Sequence, residues 1–279
     1  MNPVTSIKSL FFYSAHPLLQ IKELPSSQSK VVSQALFGEP IRIEEETKNW
    51  VQIITPDGYK GWVDSKFLIK REKIYCPLED ESLKTSRIAA HIYLAPDIEY
   101  GPSMTLPYGS RLQKIEDCDS RWVKIELPNG QESYIQRGDI TPEESIQDPL
   151  QLLEFSKKFL GVPYTWGGRS SFGFDCSGFI QMLYAQIGMK LPRDSHQQIK
   201  DQQLTPIPWD ELKPTDLVFW GKSPEKIMHL GMCLGGGSFI HASSRENQPY
   251  VRISKFSDSE WSGKSDAYYS FRAAYKRSY

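Results

Sequence analysis

Gly38, Ile41-Arg42-Ile43, Trp50-Val51-Gln52-Ile53, Pro56-Asp57-Gly58 and Trp62-Val63 follow one another in the first part of the chain, and the same order returns about 72 residues later. The second copy reads Gly109, Leu112-Gln113-Lys114-Ile115, Trp122-Val123-Lys124-Ile125, Pro128-Asn129-Gly130 and Tyr134-Ile135. The offset is 71 at the glycine and 72 from the tryptophan onward, so one residue has been inserted between them. Alternation of apolar and polar residues in the two Trp-Val-x-Ile runs is the period of a half-buried strand. Pro-Asp-Gly and Pro-Asn-Gly between such runs form turns, because glycine reaches the positive φ that a Cβ resists. Short strands separated by close-set turns predict two small β-barrels; the alternative is one larger β domain with internal symmetry. Two copies are too few for a solenoid.

Composition changes near Thr141-Pro142-Glu143-Glu144, where helical spacing appears. Apolar Leu152, Leu153, Phe155, Phe159 and Leu160 predict a helix opened by Pro149-Leu150 and stopped by Gly161-Val162-Pro163. A second helix is expected from about Cys176 to Gly188, with Phe179, Ile180, Leu183, Tyr184 and Ile187 inward. Strand-like runs follow at 217–220, 230–234, 238–242 and 250–253, and the tail 268–272 alternates as a last strand would. Two helices followed by a run of strands read as α+β.

The chain has 279 residues, and at about 150 residues per domain this is near two domains. Its 33 Lys+Arg against 34 Asp+Glu give a net charge of -1, which removes the basic excess that general nucleic-acid binding requires. No run of apolar residues is long enough to span a bilayer, and Met1–Lys8 lack the basic and apolar regions of a secretory signal. Cys76, Cys118, Cys176 and Cys233 are scattered without C-x-x-C spacing, so neither a disulfide framework nor a zinc site is suggested. Gly221-Lys222-Ser223 and Gly235-Gly236-Gly237 lack the spacing of a phosphate-binding loop. A cytoplasmic protein is expected, with a periplasmic or surface location as the alternative.

Asp175-Cys176-Ser177-Gly178-Phe179 sets a cysteine at the start of an amphipathic helix, where backbone N–H groups favour a thiolate and lower its pKa. By position alone a buried, inert cysteine is the commoner case. His229 and His241 lie on two runs joined by Gly235-Gly236-Gly237, and antiparallel pairing would bring the two imidazoles together at one sheet edge. A thiol nucleophile needs a base, and the base needs a partner that fixes its tautomer. Cys176, His229 and His241 can fill those roles; two unrelated histidines, or two metal ligands still wanting a third, are the other readings.

Six motifs occur in one order: Gly161-Val162-Pro163-Tyr164-Thr165-Trp166-Gly167-Gly168, Phe174-Asp175-Cys176-Ser177-Gly178-Phe179, Leu191-Pro192-Arg193-Asp194-Ser195, Asp216-Leu217-Val218-Phe219-Trp220, His229-Leu230-Gly231-Met232 and Phe239-Ile240-His241-Ala242. Together they resemble the NlpC family of papain-like cysteine peptidases preceded by bacterial SH3-like domains. The resemblance implies SH3-like domains at 8–72 and 73–142 and a catalytic domain at 143–279, with helices packed on an antiparallel sheet. It also implies a triad of Cys176 (nucleophile), His229 (base and acid) and His241 (orienting His229), with no metal or cofactor. Such enzymes cleave peptidoglycan stem peptides between γ-D-Glu and a diamino acid, meso-diaminopimelate or L-Lys. Tyr164 matches a tyrosine near the oxyanion position, where a donor is worth about 10²–10³ in rate; Trp166 lines the cleft, and Asp175 and Ser177 flank the nucleophile.

Arg193-Asp194-Ser195 is similar to the motif of a subgroup acting on free peptides that begin with L-Ala, in which the aspartate pairs with the terminal ammonium and the serine bonds nearby. A buried ammonium needs such a counter-charge; the other reading of Asp194 is a helix N-cap. In that subgroup the first SH3-like domain reaches the substrate, which makes Tyr59 a candidate contact and Glu23 a second acid. The resemblance implies a monomer acting on wall-derived peptides, without nucleic-acid or membrane partners, in recycling or remodelling. The alternatives are an exported hydrolase of wall-attached stems and a non-catalytic wall-binding protein.

Overall fold

The structure is a computed structural model, and it describes residues 11–76, 82–142, 146, 148–245, 247–264 and 267–278. The chain divides into two compact units, Met1–Glu143 and Glu144–Tyr279. The expected domain starts at residues 8 and 143, and the stretch Met1–Lys8 in which no secretory signal was expected, lie outside the described residues.

The first copy of the repeat forms β1 (Phe11–Ser14), β2 (Leu18–Lys22), β3 (Val31–Leu36), β4 (Pro40–Glu46), β5 (Trp50–Ile54), β6 (Lys60–Asp64) and β7 (Leu68–Arg71). The second forms β8 (Ser82–Thr85), β9 (Ala89–Tyr93), β10 (Met104–Pro107), β11 (Arg111–Asp117), β12 (Trp122–Glu126), β13 (Glu132–Gln136) and β14 (Ile140–Pro142). Their orders, β3-β2-β6-β5-β4-β1-β7 and β10-β9-β13-β12-β11-β8-β14, agree strand for strand. The inserted residue sits in the turn after β11: residues 47–49 join β4 to β5, whereas residues 118–121 join β11 to β12. Alternation turns Val51 and Ile53, and Val123 and Ile125, into separate apolar clusters. Trp122 is buried with its sheet, whereas Trp50 is only half-buried.

The two sheets of this unit are pinned together around Tyr75, which is 4% exposed. Its hydroxyl donates to the Glu126 carbonyl at 2.8 Å and accepts from the Gln113 N–H at 3.2 Å, while its own N–H donates to the Tyr13 hydroxyl at 2.9 Å. Arg71, at the end of β7, pairs with Glu126 at 2.6 Å and donates to the Pro128 carbonyl at 3.1 Å. Phe37, from the first copy, packs into the apolar cluster of the second.

The second unit contains α1 (Pro149–Lys157), a short ribbon of β15 (Arg169–Ser170) with β16 (Gly173–Phe174), α2 (Cys176–Ala185) and the single turn α3 (Ser195–Gln198). A six-stranded antiparallel sheet follows: β17 (Leu204–Ile207), β18 (Leu217–Ser223), β19 (Lys226–Gly235), β20 (Ser238–Ser243), β21 (Tyr250–Lys255) and β22 (Phe271–Arg277), in the order β17-β22-β18-β19-β20-β21. Asp148 caps α1 by accepting from the Leu150 N–H at 2.9 Å. The last strand begins three residues later than the alternation at 268–272 suggests, which leaves Tyr268 and Tyr269 ahead of it.

The α+β assignment is corrected by these elements. Among the described residues strands account for 45% and helical residues for 15%, so the chain is mostly β. Helical spacing over 150–160 and 176–188 promised a helical layer, but α1 has nine residues, α2 ten and α3 four. Among the described residues α2 is laid chiefly against β19 and β20 and the one-turn α3 against β19, so helices packed on a sheet describe little of the molecule.

Replacing Tyr75 by Phe takes the shared hydroxyl partner from the part-buried Glu126 carbonyl and Gln113 N–H at the junction of the two sheets. The expected loss is about 1–3 kcal/mol in urea unfolding. An unchanged unfolding midpoint would show that Tyr75 does not hold the sheets together.

Candidate active site

The N-terminus of α2 is set by a buried ion pair. Asp175 occupies the N-cap, and its Oδ1 accepts from the Gly178 N–H at 2.7 Å and the Ser177 hydroxyl at 3.2 Å. Arg193, 1% exposed, donates to both oxygens of this carboxylate, at 2.9 and 2.6 Å, to Ser177 Oγ at 3.0 Å and to the Gly168 carbonyl at 3.3 Å. Gly178 has no Cβ for a steric reason: one would run into the Gly168 carbonyl, so only glycine lets the 165–168 loop lie on the helix start. Cys176 is thereby fixed as the first residue of the helix, buried, with N–H groups of Leu230 and Ser177 directed at its sulfur.

Leu230 brings β19, and with it His229, to the cysteine. Met232 pairs with Ile240, so His241 on β20 shares the face of His229 and reaches it diagonally. A side chain at Gly231 would collide with Phe239 and His241, and its absence makes room for that reach. His229 Nε2 lies 2.8 Å from His241 Nδ1, and His241 Nε2 lies 2.9 Å from Ser254 Oγ on β21. Aromatic rings seal this row. Trp261 lies 4.9 Å from the His229 ring, Trp220 lies 5.7 Å away, and Tyr269 stacks parallel to it at 6.3 Å with the planes 8° apart.

Burial governs the ionisation of the row. It pushes the Cys176 thiol up to about 12, with the Asp175 charge adding to it and Arg193 and the two N–H groups opposing. The lowering expected from the helix N-terminus is therefore outweighed by desolvation. Burial also takes His229 down to about 3, helped by the charges of Arg252 and Arg245, and holds His241 well below its ordinary value. A lone charge on any of the three is disfavoured, yet a proton passed from Cys176 to His229 leaves the net charge of the couple unchanged. The arrangement can thus generate a sulfur nucleophile only together with an imidazolium.

Of the other residues singled out in the sequence, Tyr164 is half-buried and its hydroxyl is held above its ordinary value by burial and by Cys176 and Asp175. Trp166 is 67% exposed. Asp175 and Ser177 direct their side chains to Arg193 and the helix start. Asp194 and Ser195 open α3, half-buried, and Asp194 makes no side-chain capping bond. In the first unit, Tyr59 is half-buried in the turn before β6 and Glu23 is exposed just past β2. Among the described residues, no group of three His, Cys, Asp or Glu is placed to hold a metal ion. No helix among them is long and apolar enough to cross a membrane. No role for Arg193 follows from the sequence, although it lies inside the Leu191–Ser195 motif, and none follows for Ser254, Tyr269 or Arg245. The last three are brought to the histidines by strand register and by the chain ahead of β22, which no local pattern announces.

The two buried histidines make stability depend on pH. Unfolding returns them to about 6.5, so below that pH the unfolded chain binds more protons and stability falls as pH falls towards the folded values. His229, held at about 3, costs about 1.4 kcal/mol per pH unit once the pH is well below 6.5. In urea unfolding at pH 7 and pH 5, His241→Gln is expected to lose less stability on acidification than the wild type. Parallel losses would contradict the burial of a neutral His241.

Residues 161–268 match the NlpC/P60 family and residues 19–69 match the bacterial SH3 domain. A gamma-D-glutamyl-L-lysine dipeptidyl-peptidase of Bacillus cereus is 30% identical over 260 residues, covering 88% of this chain and 76% of the relative. The protein of that name from Bacillus subtilis is 30% identical over 226 residues, covering 76% of this chain and 72% of its own length. The crystal structure of an NlpC/P60 family protein from Bacillus cereus superposes with a TM-score of 0.81 at 22% identity, over 96% of this chain and 99% of that one, and so shares its fold. With the thiol, the paired imidazoles and this span of similarity together, the chain belongs to the NlpC/P60 family and is a cysteine peptidase carrying a bacterial SH3 domain ahead of its catalytic part.

Proposed function

We propose that the enzyme hydrolyses the γ-D-glutamyl–diamino acid bond of peptidoglycan stem peptides whose N-terminal L-Ala is free, with Cys176 as nucleophile. The observation that carries this reading is the contact of His229 Nε2 with His241 Nδ1 beside a cysteine at a helix N-terminus. It leaves His229 Nδ1 for the thiol proton. In that tautomer His229 Nε2–H donates to His241 Nδ1, and His241 Nε2–H donates to Ser254 Oγ.

Sulfur attacks the γ-carbonyl carbon as His229 takes its proton, and the carbonyl oxygen becomes an oxyanion. Backbone N–H groups at the start of α2 and the Tyr164 hydroxyl are the donors for that charge. Collapse breaks the C–N bond, and the imidazolium gives its proton to the departing amine, leaving a thioester on Cys176. Water, deprotonated by His229, then attacks the thioester, and the thiol recovers the proton. Asp194 supplies the counter-charge for the L-Ala ammonium, Ser195 a nearby hydrogen bond and Trp166 a wall of the cleft. The substrate class is supported by the names of the two relatives, gamma-D-glutamyl-L-lysine dipeptidyl-peptidases.

The test is hydrolysis of L-Ala-γ-D-Glu-meso-diaminopimelate against its N-acetylated twin. The free-amine peptide is expected to be cut by the wild type and not by Cys176→Ala. Its preference over the acetylated peptide, roughly tenfold to a hundredfold for one charge-assisted contact, should shrink in Asp194→Asn. Equal cleavage of both peptides by the wild type would overturn the amine recognition, and cleavage of neither would overturn the reaction.

A further inference from the structure

Just past β20, Arg245 is exposed, and its guanidinium lies 4.7 Å from the centre of the Tyr268 ring and 5.5 Å from that of Tyr269. It hydrogen-bonds Tyr269, the ring stacked on His229. These contacts hold a permanent positive charge beside the imidazole that must itself become positive during the reaction. Arg245 and Arg252 both disfavour a proton on His229. The two differ in setting: Arg252 is buried and donates to the backbone carbonyls of Arg245 and Gln248, whereas Arg245 presents its guanidinium on the aromatic shelf. A cation in that place hinders the chemistry until an anion covers it.

The chemistry of the proposed reaction says which anion. His229 protonates the departing amine, so the leaving group lies on the histidine side of the scissile bond, where Tyr269 and Arg245 stand. That amine belongs to an amino acid, and its carboxyl carbon is two bonds from the departing nitrogen. When the diamino acid ends the peptide, this group is a carboxylate; when the peptide continues, it is a neutral amide. We infer that Arg245 is a specificity-determining residue that binds the free α-carboxylate of the leaving diamino acid, so that stem peptides ending at that residue are preferred over longer or amidated ones. The inference rests on the γ-D-glutamyl reading above and adds the leaving-group side to it. Once paired, the guanidinium no longer opposes the imidazolium, so the carboxylate favours the chemical step as well as binding. Guanidinium on the rings leaves its edge for the bidentate grip that a carboxylate accepts.

The experiment compares L-Ala-γ-D-Glu-L-Lys with its C-terminal amide, using wild type, Arg245→Gln and Arg245→Lys. The wild type is expected to prefer the free acid by roughly tenfold to a hundredfold in kcat/KM, with part of the difference in kcat. Arg245→Gln should bring acid and amide to near-equal rates by slowing the acid while the amide, freed of the uncovered cation, is not slowed, and Arg245→Lys should restore part of the preference. If Arg245 merely props Tyr269 in place, Arg245→Gln will slow both peptides by the same factor, and the inference fails. Equal cleavage of both by the wild type also overturns it while leaving the bond assignment intact. Cleavage of neither overturns the bond assignment and this inference with it.

Discussion

The catalytic unit depends on one buried guanidinium. Arg193 grips both oxygens of Asp175, the carboxylate that caps α2, and ties them to Ser177 and the Gly168 carbonyl. Three separate pieces of chain, the loop at 168, the helix start and the turn at 193–195, are positioned by that single contact. Losing one partner from such a pair typically costs 3–5 kcal/mol, because the remaining charge is left dry. Cys176 follows Asp175 directly, and Asp194 and Ser195 follow Arg193. The proposed nucleophile and the residues assigned to the substrate amine are therefore indexed to the same ion pair from its two sides.

A second constraint comes from the sheet. Trp220, Trp261 and Tyr269 pack the His229 ring from several directions, and His241 is fully buried. Removing water from the imidazoles makes an isolated charge costly, so in the proposed reaction the proton passes between Cys176 and His229 in preference to being exchanged with solvent. Catalysis gains from this arrangement, since the charges that develop during attack are met by fixed groups that need no reorganisation. Tyr269 links the sealed row to Arg245 at the surface, so the closure of the site and its proposed selectivity share a residue.

Much of this was legible in the sequence. Two copies of Trp-Val-x-Ile with their Pro-x-Gly turns foretold matching sheets, and the single inserted residue resolves into a longer turn after β11. Gly235-Gly236-Gly237 between two apolar runs announced the antiparallel pair that joins His229 to His241. Helical spacing overstates the helices: it marks where they start, but short strands, each too brief to stand out, hold 45% of the residues against 15% for helices. Ser254 was invisible because its place beside His241 depends on the register of β20 and β21. Tyr268 and Tyr269 alternate as strand residues do, yet the strand starts at Phe271 and leaves Tyr269 over His229 and Tyr268 against Trp261. The ionisation of Cys176 was misjudged for a related reason, since a helix N-terminus is a local signal and burial is a property of the whole fold.

The central claim is that Cys176 and His229 act as one proton-sharing couple. The most direct measurement is the rate of iodoacetamide alkylation at Cys176, followed by mass spectrometry from pH 5 to pH 8. Passing a proton within the couple needs no exchange with solvent, so the reactive fraction, and with it the rate, is predicted to stay flat over that range in the wild type. A rate that climbs about tenfold per pH unit, as for an isolated thiol, would contradict the account.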